Sequence, residues 1–371
     1  MLKRIYIDNF RGLVNFELNV DSINLFLGRN GSGKSTVFEV LRKLQTFILG
    51  DAKLETIFDY FDFTCWQTLP IQRYELEIDG NGGKYKYELA IEAQQNKISI
   101  IYENLWFNDY PLLKYENGEV ILLRDDYSQS AKYPFLSYQS ILFSLVPRND
   151  NTRLTWFSER IERIIIVQIV PILIGQGGVE SKYLNYNCEN FVAWYKYISQ
   201  DQGKVAELIN VLQEVLDGFR SFKFESIGEK YVGLKLKFTS DTDIKNTIDY
   251  RLGALSDGQK VLIILYTLIY FLKSEEHTID YTLCIDEPEN FLALPEIQPW
   301  LRQLYDFCDD GKLQALLISH HPECINYLLA SPIGYWFERQ SNAPVRVRKI
   351  SNEEADDAGL KISELIARGW L

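Results

Sequence analysis

Apolar positions recur at every second residue over 2–7 and 14–18, on either side of IDNFRGL. They do so again in YELEID (74–79), KYKYELAI (84–91), KISIIYENLWF (97–107) and GEVILLR (118–124). Period two predicts strands, and Gly/Asn clusters such as DGNGG at 79–83 join them into an antiparallel meander. From about 136 to 216 the repeat becomes helical, in SYQSILFSLV, TWFSERIERIIIVQIV, CENFVAWYKYISQ and KVAELINVLQEVLDGF. A strand pair follows at 219–227 and 231–238. The remainder alternates strand and helix through YTLCIDEPENF, EIQPWLRQLYDFC, LQALLISHHP, PIGYWFER and PVRVRKI, ending in a short helix, SELIARGW, with Ser363 as its N-cap. The two longest apolar runs, IIIVQIVPILI (164–174) and VLIILYTLIYFL (261–272), are shorter than the roughly 20 residues of a membrane span and read as buried helices. No seven-residue apolar repeat persists, so no coiled-coil arm is expected.

Strands at both ends of the chain around a helical middle predict an α/β fold whose core sheet is split in sequence. Its parts are residues 1–135 with the antiparallel strands, 136–250 as a helical lobe plus strand hairpin, and 251–371 returning to the core. A hydrophobic fraction of 46% in 371 residues is ample for a buried core. The net charge of −12 argues against a surface that wraps bare nucleic acid. Cys65, Cys188, Cys284, Cys308 and Cys324 show no C-x-x-C spacing, and MLKRIYIDNF resembles a strand and no signal peptide, so a cytoplasmic protein with reduced thiols is expected.

Chemistry enters at LFLGRNGSGKST, where Gly28, Gly33, Lys34 and Ser35 complete the G-x-x-x-x-G-K-[ST] pattern between an apolar strand and a helical stretch. Glycines let backbone N–H groups curl around a phosphate, the helix aims its positive end at the same point, and Lys34 adds a full charge. Ser35 is placed to hold a magnesium ion beside a bound nucleoside triphosphate.

A phosphate-loop enzyme also needs carboxylates on a neighbouring strand, and YTLCI runs into Asp286 and Glu287. Asp286 is assigned to the metal and Glu287 to the attacking water. Strand LQALLIS ends at His320, assigned as the group that senses the third phosphate; His321 reads equally as a surface residue. A zinc site built from the histidine pair and Cys324 lacks the recurring ligand spacing. In ALSDGQKVLIILYTLIYFL, Ser256 caps a long apolar helix whose first turn is a second anion site. One nucleotide needs one such cradle, so the second is expected to close over the nucleotide held by another copy of the chain.

GRNGSGKST, LSDGQ, LCIDEPE and LISHH, in this order, resemble the Walker A, signature, Walker B and switch-histidine motifs of the ABC-type ATPases. IDNFRGLVNFEL and DEPENFLALPEIQPWL resemble the RecF/SMC-like and OLD-like branch, and the overall form resembles standalone ATPases of bacterial defence operons, such as the AriA component of PARIS or the PtuA component of Septu. The resemblance covers about 1–45 and 250–340 and leaves the middle unaccounted for. It implies that Asn30, Gly31, Ser32, Gly33, Lys34, Ser35 and Thr36 surround the phosphates, with Lys34 acting in catalysis beside Glu287 and His320. It also implies that Ser256 and Gly258 reach the partner's nucleotide, and that Arg11 approaches the phosphates unless it faces solvent. Asp257 departs from the usual glycine and brings a negative charge to the signature turn. The glutamine that contacts magnesium has Gln139 as its best-placed candidate. From Ser35 to Ser256 is 221 positions, room for a compact lobe and too little for a long arm.

The functional expectation is therefore an ATPase that dimerises around ATP, assembles further in some forms, and switches a separate nuclease or toxin in anti-phage defence. No second catalytic centre is legible in the chain. The alternative is a RecF-like DNA-binding ATPase using Arg346, Arg348 and Lys349, or Arg160 and Arg163. A transporter subunit ranks last, and no membrane partner is expected. The terminal Trp370 and Leu371 read as packing on their own domain, with docking to a partner as the alternative.

Overall fold

A computed structural model describes residues 1–94, 97–227, 230–240, 243–276, 278–321, 325–326, 334–350 and 363–364. The chain opens with β1 (Leu2–Asp8), β2 (Phe16–Asn19) and β3 (Ile23–Gly28), then α1 (Lys34–Leu49) and the single turn α2 (Leu54–Ile57). The meander follows as β4 (Ile71–Gly80), β5 (Gly83–Gln94), β6 (Lys97–Phe107), β7 (Tyr110–Glu116), β8 (Glu119–Leu123) and β9 (Gln129–Pro134). With β1 and β2 these strands form an eight-stranded antiparallel sheet in the order β2-β1-β4-β5-β6-β7-β8-β9. Strands β7 and β9 go beyond the sequence reading. The turn before β7 places Asn108 and Asp109 at φ 47° and 67°, and Asn117 and Gly118 after it lie at 54° and 80°, the left-handed pairs that tight hairpins require.

Next come α3 (Ile141–Ser144), α4 (Thr152–Glu162), β10 (Ile164–Gln168), β11 (Gly177–Gly178), α5 (Phe191–Ile198) and α6 (Gln202–Val215). The apolar run at 164–174 is thus not a buried helix. Its β-branched residues form a buried strand that lies parallel to the strand ending in Asp286. A small sheet of β11, β12 (Phe219–Ile227), β13 (Tyr231–Ser240) and β14 (Asp243–Arg251) leads to the apolar helix α7 (Asp257–Leu272), and β14 too was not expected. The chain closes through β15 (Thr282–Asp286), α8 (Leu294–Asp309), β16 (Gln314–Ile318), β17 (Gly334–Glu338) and β18 (Arg346–Ile350). Ser363 and Glu364 are helical, while Cys324, Trp370 and Leu371 lie outside the described residues. No helix among the described residues is long and apolar enough to cross a membrane.

The core sheet has the order β10-β15-β16-β3-β17-β18, parallel except for the last pair. Its central strands β3, β15 and β16 are buried at every position, because both faces are covered. One face, with Phe26, Cys284 and Leu316, packs with α1, α4 and the antiparallel sheet. The other, with Leu25, Leu283 and Leu317, packs against α5 to α8. Gln314, fully buried, ties the two sheets: its Oε1 accepts the Leu2 N–H at 3.0 Å and the Thr282 hydroxyl at 2.7 Å, while its Nε2 donates to the carbonyls of Leu2 and Asp21. All the parallel strands therefore end on one side, where β3 delivers the glycine loop and β15 and β16 deliver their acids and histidine.

Candidate nucleotide site

In the loop from Gly28 to Gly33 all three glycines have positive φ, and at Gly28 and Gly33 neighbouring atoms also leave no room for a side chain. Gly28 lies at φ 143°, and a Cβ there would stand 2.2 Å from the Phe337 carbonyl oxygen of β17. Gly33, at φ 102°, would meet Val345 at 2.8 Å, whereas Gly31, at φ 77°, faces open space. Arg29 and Asn30 are exposed, Ser32 is buried, and the Ser32 hydroxyl has no partner among the described residues. Lys34, 5% exposed, turns its Nζ back to donate to the carbonyls of Gly28 at 2.8 Å and Arg29 at 3.2 Å. Burial lowers its pKa, with Asp286 and Glu287 acting in the opposite sense.

Ser35 Oγ donates to Asp286 Oδ2 at 2.7 Å, which joins the loop to the end of β15. Burial raises the Asp286 pKa, a shift opposed by the serine hydrogen bond and assisted by the neighbouring Glu287. Glu287 then leaves strand geometry altogether, with φ 53° and its N–H donating to Ile318 O at 2.9 Å. Its Oε2 accepts from Asn290 Nδ2 at 2.7 Å, and its Oε1 stands 3.9 Å from His320 Nε2. Burial, followed by Lys34, lowers the His320 pKa, which favours the neutral imidazole. Lys34, Ser35, Asp286, Glu287 and His320 thus come together from three strand ends. An unpartnered buried hydroxyl, a glycine cradle and a paired hydroxyl and carboxylate form an oxygen-rich set that fits a phosphate chain and a hard divalent cation such as magnesium.

Two other expected residues have no described hydrogen bond to these five. Arg11, at φ 47°, spends its guanidinium on Glu39 at 2.7 Å and Asp62 at 3.0 Å. Gln139 lies between Tyr138, whose carbonyl accepts the Leu54 N–H, and Ser140, whose hydroxyl donates to Glu103; no described hydrogen bond links Gln139 to Ser35 or Asp286. The glutamine that the sheet register sets beside Asp286 is Gln168, the last residue of β10. The helical reading of IIIVQ had hidden this neighbour. Arg160 is 2% exposed and donates to the Thr282 hydroxyl at 2.6 Å, so it is no surface for DNA.

Ser256 and Asp257 are exposed at the start of α7. Ser256 and Gln259 form a reciprocal cap, and Asp257 pairs with Lys260 Nζ at 3.0 Å, which offsets the charge that the sequence placed in the turn. A Cβ on Gly258 would stand 3.0 Å from Phe291 O, so the turn packs on the loop after Glu287. No described hydrogen bond joins residues 256–258 to the chain's own phosphate loop. A cavity of about 880 Å³ lies along β10, lined by residues such as Arg42, Gln45, Lys182, Trp194 and Lys204, and shares none of the residues of this site.

The fold is similar to that in a crystal structure of an SMC head bound to the C-winged helix domain of ScpA, with 10% identity, a TM-score of 0.57, and coverage of 95% of this chain and 99% of that one. It is also similar to the SMC head domain from Thermotoga maritima, with 12% identity, a TM-score of 0.48, and coverage of 94% and 99%. No curated protein matches the sequence. Residues 23–326 match the family described as "AAA domain, putative AbiEii toxin, Type IV TA system". That span runs from β3 through the acids of β15 to the histidine after β16, and the protein accordingly belongs to this family of AAA ATPase domains, with an ABC-type fold like that of SMC heads.

Proposed function

We propose that two copies of this ATPase face each other around two ATP molecules, and that the closed dimer switches a separate effector, a nuclease or toxin, in bacterial defence. The observation that carries this reading is the signature turn. Ser256 is exposed at a helix N-terminus, Asp257 is neutralised by Lys260, and nothing described bonds the turn to the phosphate loop of its own chain. Such a turn has N–H groups to offer to a phosphate held by another copy.

In this reading Gly28, Asn30, Gly31, Ser32, Gly33 and Thr36 cradle the triphosphate, and the Lys34 ammonium moves from the loop carbonyls to the phosphates. Ser35, Asp286 and Gln168 would hold magnesium, with Gln168 taking the place first given to Gln139. The bound cation would supply charge neutralisation on the phosphate oxygens. Glu287 orients the attacking water and accepts its proton, and neutral His320 donates a hydrogen bond to the third phosphate. Arg11 would have to leave Glu39 and Asp62 to join them. The family description supports a toxin-linked role, and the likeness to a head that binds ScpA's winged helix supports a separate partner.

The test is the Glu287→Gln variant with magnesium and ATP, read by light scattering after size exclusion. Long-lived dimers without turnover are expected; solitary subunits, or turnover at the wild-type rate, overturn the reading. Lys34→Ala should lose ATP binding itself, measured by equilibrium dialysis. A DNA-binding role keeps one supporting observation, the exposed Arg346, Arg348 and Lys349 on β18. It predicts a salt-dependent shift of duplex DNA by the protein alone.

A further inference from the structure

The loop after β15 carries one more carboxylate, Glu289, and it is only 7% exposed. Its Oε1 accepts from Ser319 Oγ at 2.7 Å, from the His320 N–H at 3.1 Å and from the His321 N–H at 3.2 Å. Ser319 Oγ also accepts the His321 N–H at 3.1 Å, while Glu289 Oε2 has no partner among the described residues. A carboxylate taken out of water is costly unless donors replace the lost solvation. Here every described donor comes from one short segment, Ser319–His321.

That segment follows β16, and Glu289 follows β15. A single oxygen thus fastens the backbone of His320 to the loop that carries Glu287. The only other described backbone tie between the two loops is the Glu287 N–H to Ile318 O hydrogen bond, which lies before the histidine. With its own N–H and that of its neighbour fixed, His320 has little freedom beyond its side-chain torsions, and its Nε2 stands 3.9 Å from Glu287 Oε1. We infer that Glu289 is a positioning residue, which acts through the peptide of His320 to hold the imidazole at the distance from Glu287 that hydrolysis needs. The inference rests on the reading of Glu287 and His320 as the hydrolytic pair. A purely structural loop clamp would stabilise the fold without regard to His320.

Steady-state ATP hydrolysis by the full chain separates these. Glu289→Ala is expected to lower kcat roughly tenfold or more, as displaced catalytic groups do, and to leave KM for ATP within about twofold. Glu289→Gln keeps an acceptor for Ser319 and the two N–H groups and is expected to recover most of the rate. The decisive comparison is with His320→Ala: the double variant Glu289→Ala/His320→Ala is expected to be no slower than His320→Ala alone. Losses that multiply in the double variant, or an unchanged kcat in Glu289→Ala, overturn the inference. A His320→Ala variant as active as the wild type overturns instead the reading on which it rests. Should Glu289→Ala fail to fold, Ser319→Ala removes one of the three donors and enters the same cycle, with the same two outcomes.

Discussion

At the residue scale, the site is a set of backbone exceptions enforced by neighbours. Gly28 and Gly31 both have positive φ, but only Gly28 has a carbonyl where a side chain would begin. Gly31→Ala should therefore pay only the left-handed backbone cost, about 1–2 kcal/mol, whereas Gly28→Ala must also displace β17 and should lose at least about 3 kcal/mol. Urea midpoints of the two variants check this, and equal losses would remove the steric account. The glycine-lysine-serine pattern was fully legible in the sequence because its residues act within eight positions. Asp286, Glu287 and His320 were legible as the tips of apolar strands. Glu289 and Lys260 were not, since a buried acid that clamps a loop 30 residues away and a lysine that answers Asp257 have no signature along the chain.

At the scale of elements, one misread run hid a neighbour of the site. Four consecutive β-branched residues, Ile164 to Val167, fit a buried strand or a buried helix equally by periodicity, and only pairing with β15 decides between them. Once the run is a strand, Gln168 stands beside Asp286, and Gln139 belongs to another element junction. That junction has chemistry of its own. Glu103 of β6 is fully buried and accepts from Tyr87 Oη at 3.0 Å, Ser140 Oγ at 2.6 Å and the Ile141 N–H at 3.0 Å, which fastens the start of α3 to the antiparallel sheet. Burial, only partly opposed by these hydrogen bonds, raises its pKa to about 7. The folded state thus binds a proton that the unfolded chain releases near the ordinary glutamate value. Glu103 contributes most below that value, and its contribution falls as pH rises through about 7, by on the order of 3 kcal/mol in total. Denaturant midpoints at pH 5.5 and 8 should therefore fall further apart in the wild type than in Glu103→Gln; an identical spread would remove Glu103 as the cause.

At the scale of the whole molecule, two hydrophobic cores share one sheet. β3 comes from the first 30 residues, yet it lies between β16 and β17 from the last 60, so the central strand is completed only when both ends of the chain have met. Its residues alternate between the faces: Leu25 and Leu27 enter the core with α7 and α8, and Phe26 enters the core with α1 and the antiparallel sheet. Neither core can lose β3 and keep its own floor. Leu25→Ala should cost about 2–5 kcal/mol and Phe26→Ala about 3–5 kcal/mol, and each should weaken both sides although each side chain touches only one. Hydrogen exchange read by mass spectrometry distinguishes the cases, because β5 (Gly83–Gln94) reports one face and α7 (Asp257–Leu272) the other. If the sheet couples them, Leu25→Ala accelerates exchange in β5 as well as in α7. If exchange rises in α7 alone, the faces open independently, and motion of the signature helix would not be transmitted through β3 to the antiparallel sheet.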